Sequence, residues 1–133
     1  MAKRKRTANR GGVLAEIRRV LACEADALRR ACGAVDASYA RAVELLACCR
    51  GKVILTGVGK SGAIAQKIAA TFSSTGTPAV YLDPSEAMHG GMGLIQRQDL
   101  VLALGKSGES DELSALLPHL RARGAKLIAL TAN

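Results

Sequence analysis

Aromatic side chains are almost absent from this 133-residue chain: Tyr39, Phe72 and Tyr81 are the whole complement, and there is no tryptophan. Without aromatic platforms, binding of single-stranded nucleic acid by base stacking has little to stand on. No apolar run approaches the roughly 18 residues of a membrane span, and no charged-then-apolar leader opens the chain. The sequence therefore reads as soluble and cytoplasmic, with no membrane partner. The four cysteines, Cys23, Cys32, Cys48 and Cys49, never fall at C-x-x-C spacing, which removes the usual zinc and dithiol motifs. Adjacent cysteines cannot bridge each other without strain, so all four are expected to be reduced packing residues. Acidic residues are also scarce, 11 against 19 basic ones, for a net charge of +8.

That charge is uneven. Lys3, Arg4, Lys5, Arg6 and Arg10 place five positive charges in the first ten residues and leave +3 for the rest. Residues 1–11 are expected to form a basic, flexible tail, available to an acidic surface but ordinarily just solvated. The remainder is long enough for one domain with a core. With so few aromatics, that core must be built from Ala, Val, Leu and Ile.

What the chain does have is Val53-Ile54-Leu55-Thr56-Gly57-Val58-Gly59-Lys60-Ser61-Gly62, an apolar run that breaks into a glycine turn. Gly57, Gly59 and Gly62 have G-x-G-x-x-G spacing, and the apolar pattern that follows predicts a helix over 61–74. A strand, turn and helix in this order aim backbone N–H groups and a helix N-terminus at one point, which suits an anion. Asp83 stands about where a dinucleotide fingerprint needs its acidic residue. The motif alone therefore leaves nucleotide and sugar phosphate both open.

The remaining pattern is an alternation. Apolar spacing predicts a helix from Val13, stopped at Gly33, and a second helix capped by Asp36, together a helical hairpin. Strands are expected at 52–56, 78–82, 100–104 and 126–130, with a helical turn at 85–89 and a helix at 111–123 stopped by Gly124. Near-continuous apolar strands alternating with helices indicate α/β architecture, a parallel sheet covered on both faces in three layers. Gly105-Lys106-Ser107-Gly108-Glu109-Ser110 follows the third strand. Both Ser/Gly loops thus lie at the carboxyl edge, where such sheets bind ligands. The chain stops just past the fourth strand, which is expected to leave an open, association-prone edge.

Lys60, His89 and Glu112 are the side chains near those loops able to move protons: a cation, an imidazole and a carboxylate suit proton transfer beside a carbonyl. Each also has a plain structural role. Glu112 complements a helix N-terminus, in competition with Glu109 and Asp111; His89 sits in a glycine-flanked turn; Lys60 could simply neutralise a phosphate.

Four segments fall in one order: Gly57-Val58-Gly59-Lys60-Ser61-Gly62, Thr75-Gly76-Thr77-Pro78, Glu86-Ala87-Met88-His89-Gly90 and Ser107-Gly108-Glu109-Ser110-Asp111-Glu112. Together they resemble the sugar isomerase (SIS) domain of arabinose-5-phosphate isomerases, from about residue 14 to residue 133. The resemblance implies a Rossmann-like SIS fold over residues 12–133, of which only the N-terminal part is present. It implies interconversion of ribulose 5-phosphate and arabinose 5-phosphate through a cis-enediol(ate), in synthesis of the Kdo precursor of lipopolysaccharide. It also implies no organic cofactor and a homo-oligomer, dimer or tetramer, with sites shared between subunits; no metal is expected, since Asp83 stands where relatives often carry a histidine that can bind zinc, and one ligand makes no site. Lys60, His89 and Glu112 are the implied catalytic residues; Gly59, Ser61, Gly76, Thr77, Ser107, Gly108 and Ser110 are the implied substrate contacts. The chain departs from the family pattern at Gly105-Lys106 (usually Ser-Asn), at Gly91 (usually acidic) and at Asp83 (often His). Runner-up readings are a non-catalytic sugar-phosphate-binding SIS module or inactive fragment and, more remotely, a dinucleotide-binding protein.

Overall fold

The structure is a computed structural model that describes residues 10–106 and 110–132. The chain divides into two compact units, Met1–Ala40 and Arg41–Asn133. Of the expected basic tail, residues 1–9 lie outside the described residues.

The first unit is dominated by α1 (Arg10–Gly33). It begins three residues before the expected Val13, taking Gly11 and Gly12 into its first turn. Leu14, Ile17, Leu21 and Leu28 form an apolar stripe that is exposed, Leu28 to 72%. The cysteine expectation is corrected here: Cys23, Cys32 and Cys48 are exposed and only Cys49 is partly buried; α1, which carries the first two, has no buried residue among those described. Asp36 does cap α2 (Ala37–Ala47), its Oδ1 accepting from the Ser38 N–H at 2.8 Å.

In the second unit, β1 (Val53–Gly57), β2 (Ala79–Tyr81), β3 (Leu100–Leu104) and β4 (Lys126–Leu130) form a parallel sheet in the order β2-β1-β3-β4. Successive strand residues point to opposite faces, and each face carries its own core. Val53, Leu55, Leu102 and Leu104 pack under Ala65 and Ala69 of α3 (Lys60–Ser74). Ile54 and Val101 pack on the other face against Ala87 of α4 (Pro84–Met88) and Leu116 and Leu120 of α5 (Asp111–Arg123). These are the expected three layers. Ile54 and Leu55 are fully enclosed, each contributing roughly 1.5–3 kcal/mol by burial.

At the amino-terminal edge, the buried Asp99 ties β1 to β3. It accepts from the Lys52 N–H at 2.9 Å, from Lys52 Nζ at 2.7 Å and from the Gln96 N–H at 2.9 Å. Burial alone would raise its pKa, but the Lys52 and backbone donors outweigh that and hold the carboxyl below its ordinary range. A single turn of 3-10 helix occupies Gly91–Leu94.

Candidate functional site

The strand order fixes where ligands can go. From β1 the chain moves outward to β2, then crosses back over to β3 on the other side of β1. The connections leaving β1 and β3 therefore diverge and open a crevice at the carboxyl edge. The two Ser/Gly loops leave these same two strands.

The first loop is shaped by close approach. A Cβ on Gly62 would lie 2.6 Å from the Gly57 carbonyl oxygen and 2.8 Å from Tyr81 Oη, and one on Gly57 would lie 2.9 Å from the Leu104 carbonyl oxygen. Gly59 needs its freedom for a different reason: φ is 58° and ψ −123°, a region closed to other residues. Lys60 then starts α3, exposed, with the partly buried Ser61 beside it. Ser61, Leu104, Gly105 and Lys106 line two adjoining hollows. One, of about 370 Å3, also takes in Lys60; the other, of about 180 Å3, also takes in Ser110. Two cations and two hydroxyls thus share the crevice.

Ser110 is the N-cap of α5: its Oγ accepts from the Leu113 N–H at 3.3 Å and donates to Glu112 Oε2 at 2.7 Å. The Ser110 hydroxyl, and next the residue's own N–H, hold the Glu112 carboxyl below the ordinary carboxylate range, against weak opposition from desolvation and from the Asp83 charge. Glu112 is therefore ionised at neutral pH.

Residues that sequence reasoning does not assign support this edge. The Tyr81 hydroxyl lies 3.1 Å from the Gly57 carbonyl and 3.2 Å from Asp83 Oδ2. Burial first, and then the Asp83 charge, push its pKa up, so it stays protonated as a donor to the loop. Asp83 Oδ1 accepts from the Ser85 and Glu86 N–H groups at the start of α4. Asp83 thus has a structural task, as the cap of α4 and a neighbour of Tyr81. The signals that could have found these residues are plain: Tyr81 is a hydroxyl-bearing aromatic in a chain nearly without aromatics, and Lys106 is a cation in the second glycine-rich loop.

Not every expected residue reaches this place. His89 is the exposed C-cap residue of α4, its N–H bonded to the Ser85 and Glu86 carbonyls; among the described residues no hydrogen bond links its ring to Lys60 or Glu112. Gly76 and Thr77 are not at this crevice within the chain. They lie between α3 and β2, at the amino-terminal edge, because a helix that follows a parallel strand must return to the start of the next one. Ser107 and Gly108 lie outside the described residues. Among the described residues, no three His, Cys, Asp or Glu side chains converge in a metal-binding group.

The profile of the SIS domain matches residues 45–133. The chain belongs to the SIS domain family. Among curated SIS relatives, the arabinose 5-phosphate isomerase KdsD of Yersinia pestis is 45% identical over 116 residues, 87% of this chain and 35% of that protein. The arabinose 5-phosphate isomerase KpsF of Escherichia coli O6:H1 is 41% identical over 122 residues, 91% of this chain and 37% of that one. This SIS chain thus spans about a third of the length of the curated relatives it matches. A solved structure, the c3406 protein of E. coli CFT073 in complex with arabinose 5-phosphate, superposes with a TM-score of 0.89 at 38% identity, covering 94% of this chain and 66% of that one.

Proposed function

We propose that this SIS domain serves a sugar-phosphate isomerase that interconverts ribulose 5-phosphate and arabinose 5-phosphate, in the synthesis of the Kdo precursor of lipopolysaccharide. The observation that carries the reading is the crevice between β1 and β3, where two cations and two hydroxyls stand beside an ionised carboxylate at the start of α5. Relatives bearing the arabinose 5-phosphate isomerase name support it, as does the sugar-phosphate complex of the similar fold.

In this reading the phosphate sits against Ser61, Ser107, Gly108 and Ser110, with Gly59 letting the backbone approach. Glu112 removes a proton from C1 of the ketose. The electron pair moves into a C1–C2 double bond, and the C2 carbonyl oxygen takes up charge and then a proton. Returning a proton to C2, with loss of the O1 proton, gives the aldose. His89 moves the proton between the two oxygens, and Lys60 balances charge on the enediolate. Phosphate engaging the Ser110 hydroxyl would withdraw it from Glu112 and make that carboxylate a stronger base. Gly76 and Thr77 would act on the site of a neighbouring subunit in a dimer or tetramer. No cofactor enters the scheme.

Binding without turnover is the second reading. Glu112 is fully exposed and held below the ordinary carboxylate range, a poor starting point for a general base. Proton NMR with ribulose 5-phosphate in deuterated buffer separates the two. Isomerisation predicts deuterium at C2 of arabinose 5-phosphate, abolished in Glu112→Gln. No exchange, with the substrate still raising Tm, would leave a binding module.

A further inference from the structure

The opposite edge of the sheet carries a second cavity, larger than either hollow at the carboxyl edge. It is about 610 Å3, lies where β3 and β4 begin, and contains none of the residues assigned to isomerisation. A volume of this order, within the roughly 300–1,000 Å3 typical of small-molecule sites, accommodates a nucleotide-sized compound.

Its lining is basic. Arg50 comes from the connection between α2 and β1, Arg97 from the loop before β3 and Lys126 from the first position of β4. Three cations from three separate segments meet at one hollow. Among the described residues none of the three forms an ion pair with a carboxylate; the pairs there are Glu16–Arg19, Asp26–Arg29 and Lys52–Asp99. The acid in the lining, Asp99, is 2% exposed and already bonded to Lys52 and two backbone N–H groups. It cannot serve as a counter-ion for the other three. The Arg97 side chain passes over Gly124, its Cγ 3.4 Å from where a Cβ on that glycine would be. Like charges gathered without a partner repel, and an anion seated among them relieves the repulsion. Two guanidinium groups and an ammonium suit a phosphate compound in particular, since each guanidinium presents paired donors to phosphate oxygens.

We propose that this amino-terminal-edge cavity is a second ligand site, built by Arg50, Arg97 and Lys126 for a multiply charged phosphate compound of diphosphate type. It is separate from the carboxyl-edge crevice, so its ligand does not compete with a sugar phosphate there. The proposal stands whether or not the isomerase reading does.

Cys48 and Cys49 line the same cavity, and Cys48 is exposed, which provides a built-in reporter. Alkylation of each cysteine by iodoacetamide is followed by peptide mass spectrometry across a pyrophosphate titration. Cys48 should be protected in step with occupancy, about tenfold at ten times the midpoint concentration, while Cys23 and Cys32 on α1 keep their rates. Lys60→Ala, which weakens the other site, should leave the protection intact. Arg97→Gln and Lys126→Gln should each move the midpoint upward by about tenfold, the worth of one charge-assisted contact. Lys126 is exposed on an edge strand, so that variant folds even if Arg97→Gln does not. An unchanged Cys48 rate at saturating pyrophosphate, or protection lost in Lys60→Ala and kept in Lys126→Gln, overturns the proposal.

Discussion

Among single residues, the chemistry at the carboxyl edge turns on one hydroxyl. Ser110 caps α5 and at the same time donates to Glu112. Replacing it with Ala should lower stability by about 1 kcal/mol through the lost cap. It should also move the acid limb of the pH–rate profile upward. The Glu112 pKa is depressed mainly by this bond, and a base whose pKa rises stays ionised only at higher pH. A limb that does not move would separate Glu112 from the rate. The glycine loop allows a paired comparison by thermal unfolding. Gly62→Ala forces a methyl against the Gly57 carbonyl and Tyr81 Oη, and should cost about 1–3 kcal/mol by overpacking. Gly59→Ala meets no atom within 4 Å but must adopt φ 58°, so its cost, again about 1–3 kcal/mol, comes from backbone strain alone. A larger side chain at Gly59 should therefore cost little more than Ala, whereas at Gly62 the penalty should grow with size.

For whole strands and helices, the second unit was largely legible. β3, α5 and β4 have the bounds their apolar runs and Gly124 indicate, and β1, α3 and β2 differ by a residue or so at their ends. Local signals suffice there because the inner strands are buried on both faces and the long helices are bounded by a cap or a glycine. The tie at the other edge was not legible, because Lys52 and Asp99 are 47 residues apart in sequence. Asp99→Asn should destabilise the domain by about 3 kcal/mol, since it leaves a partly buried ammonium without its partner. The pH dependence has a definite sign. A carboxyl whose folded pKa is depressed adds stability above its unfolded value, near 3.9, and loses it as pH falls through the folded one. The wild-type Tm should therefore drop on acidification below about pH 4, and the Asn variant should show a smaller drop. Asp83→Ala, which removes the cap of α4 and a partner of Tyr81, should cost about 1 kcal/mol.

Across the entire chain, apolar surface remains open in both units. The α1 stripe of Leu14, Ile17, Leu21 and Leu28 is exposed, and so are Leu127 and Leu130 on β4, which pairs with β3 alone in the described sheet. An unpaired strand edge with apolar neighbours promotes association. Light scattering should find a species larger than one chain at micromolar concentration, and Leu127→Lys should shift it toward the monomer. A stable wild-type monomer would remove the shared-site role given to Gly76 and Thr77.

The α/β class, the order of elements, the two Ser/Gly loops and the family can all be read from the amino-acid order, because they follow from local periodicity, turn chemistry and short motifs. Which of those residues meet is a property of the folded chain. The order β2-β1-β3-β4 joins Ser61 to Ser110 and sends Gly76 and Thr77 to the far edge; it also gathers Arg50, Arg97 and Lys126 around one cavity. Strand order depends on long-range pairing and packing, and no local stretch of the chain encodes its neighbours.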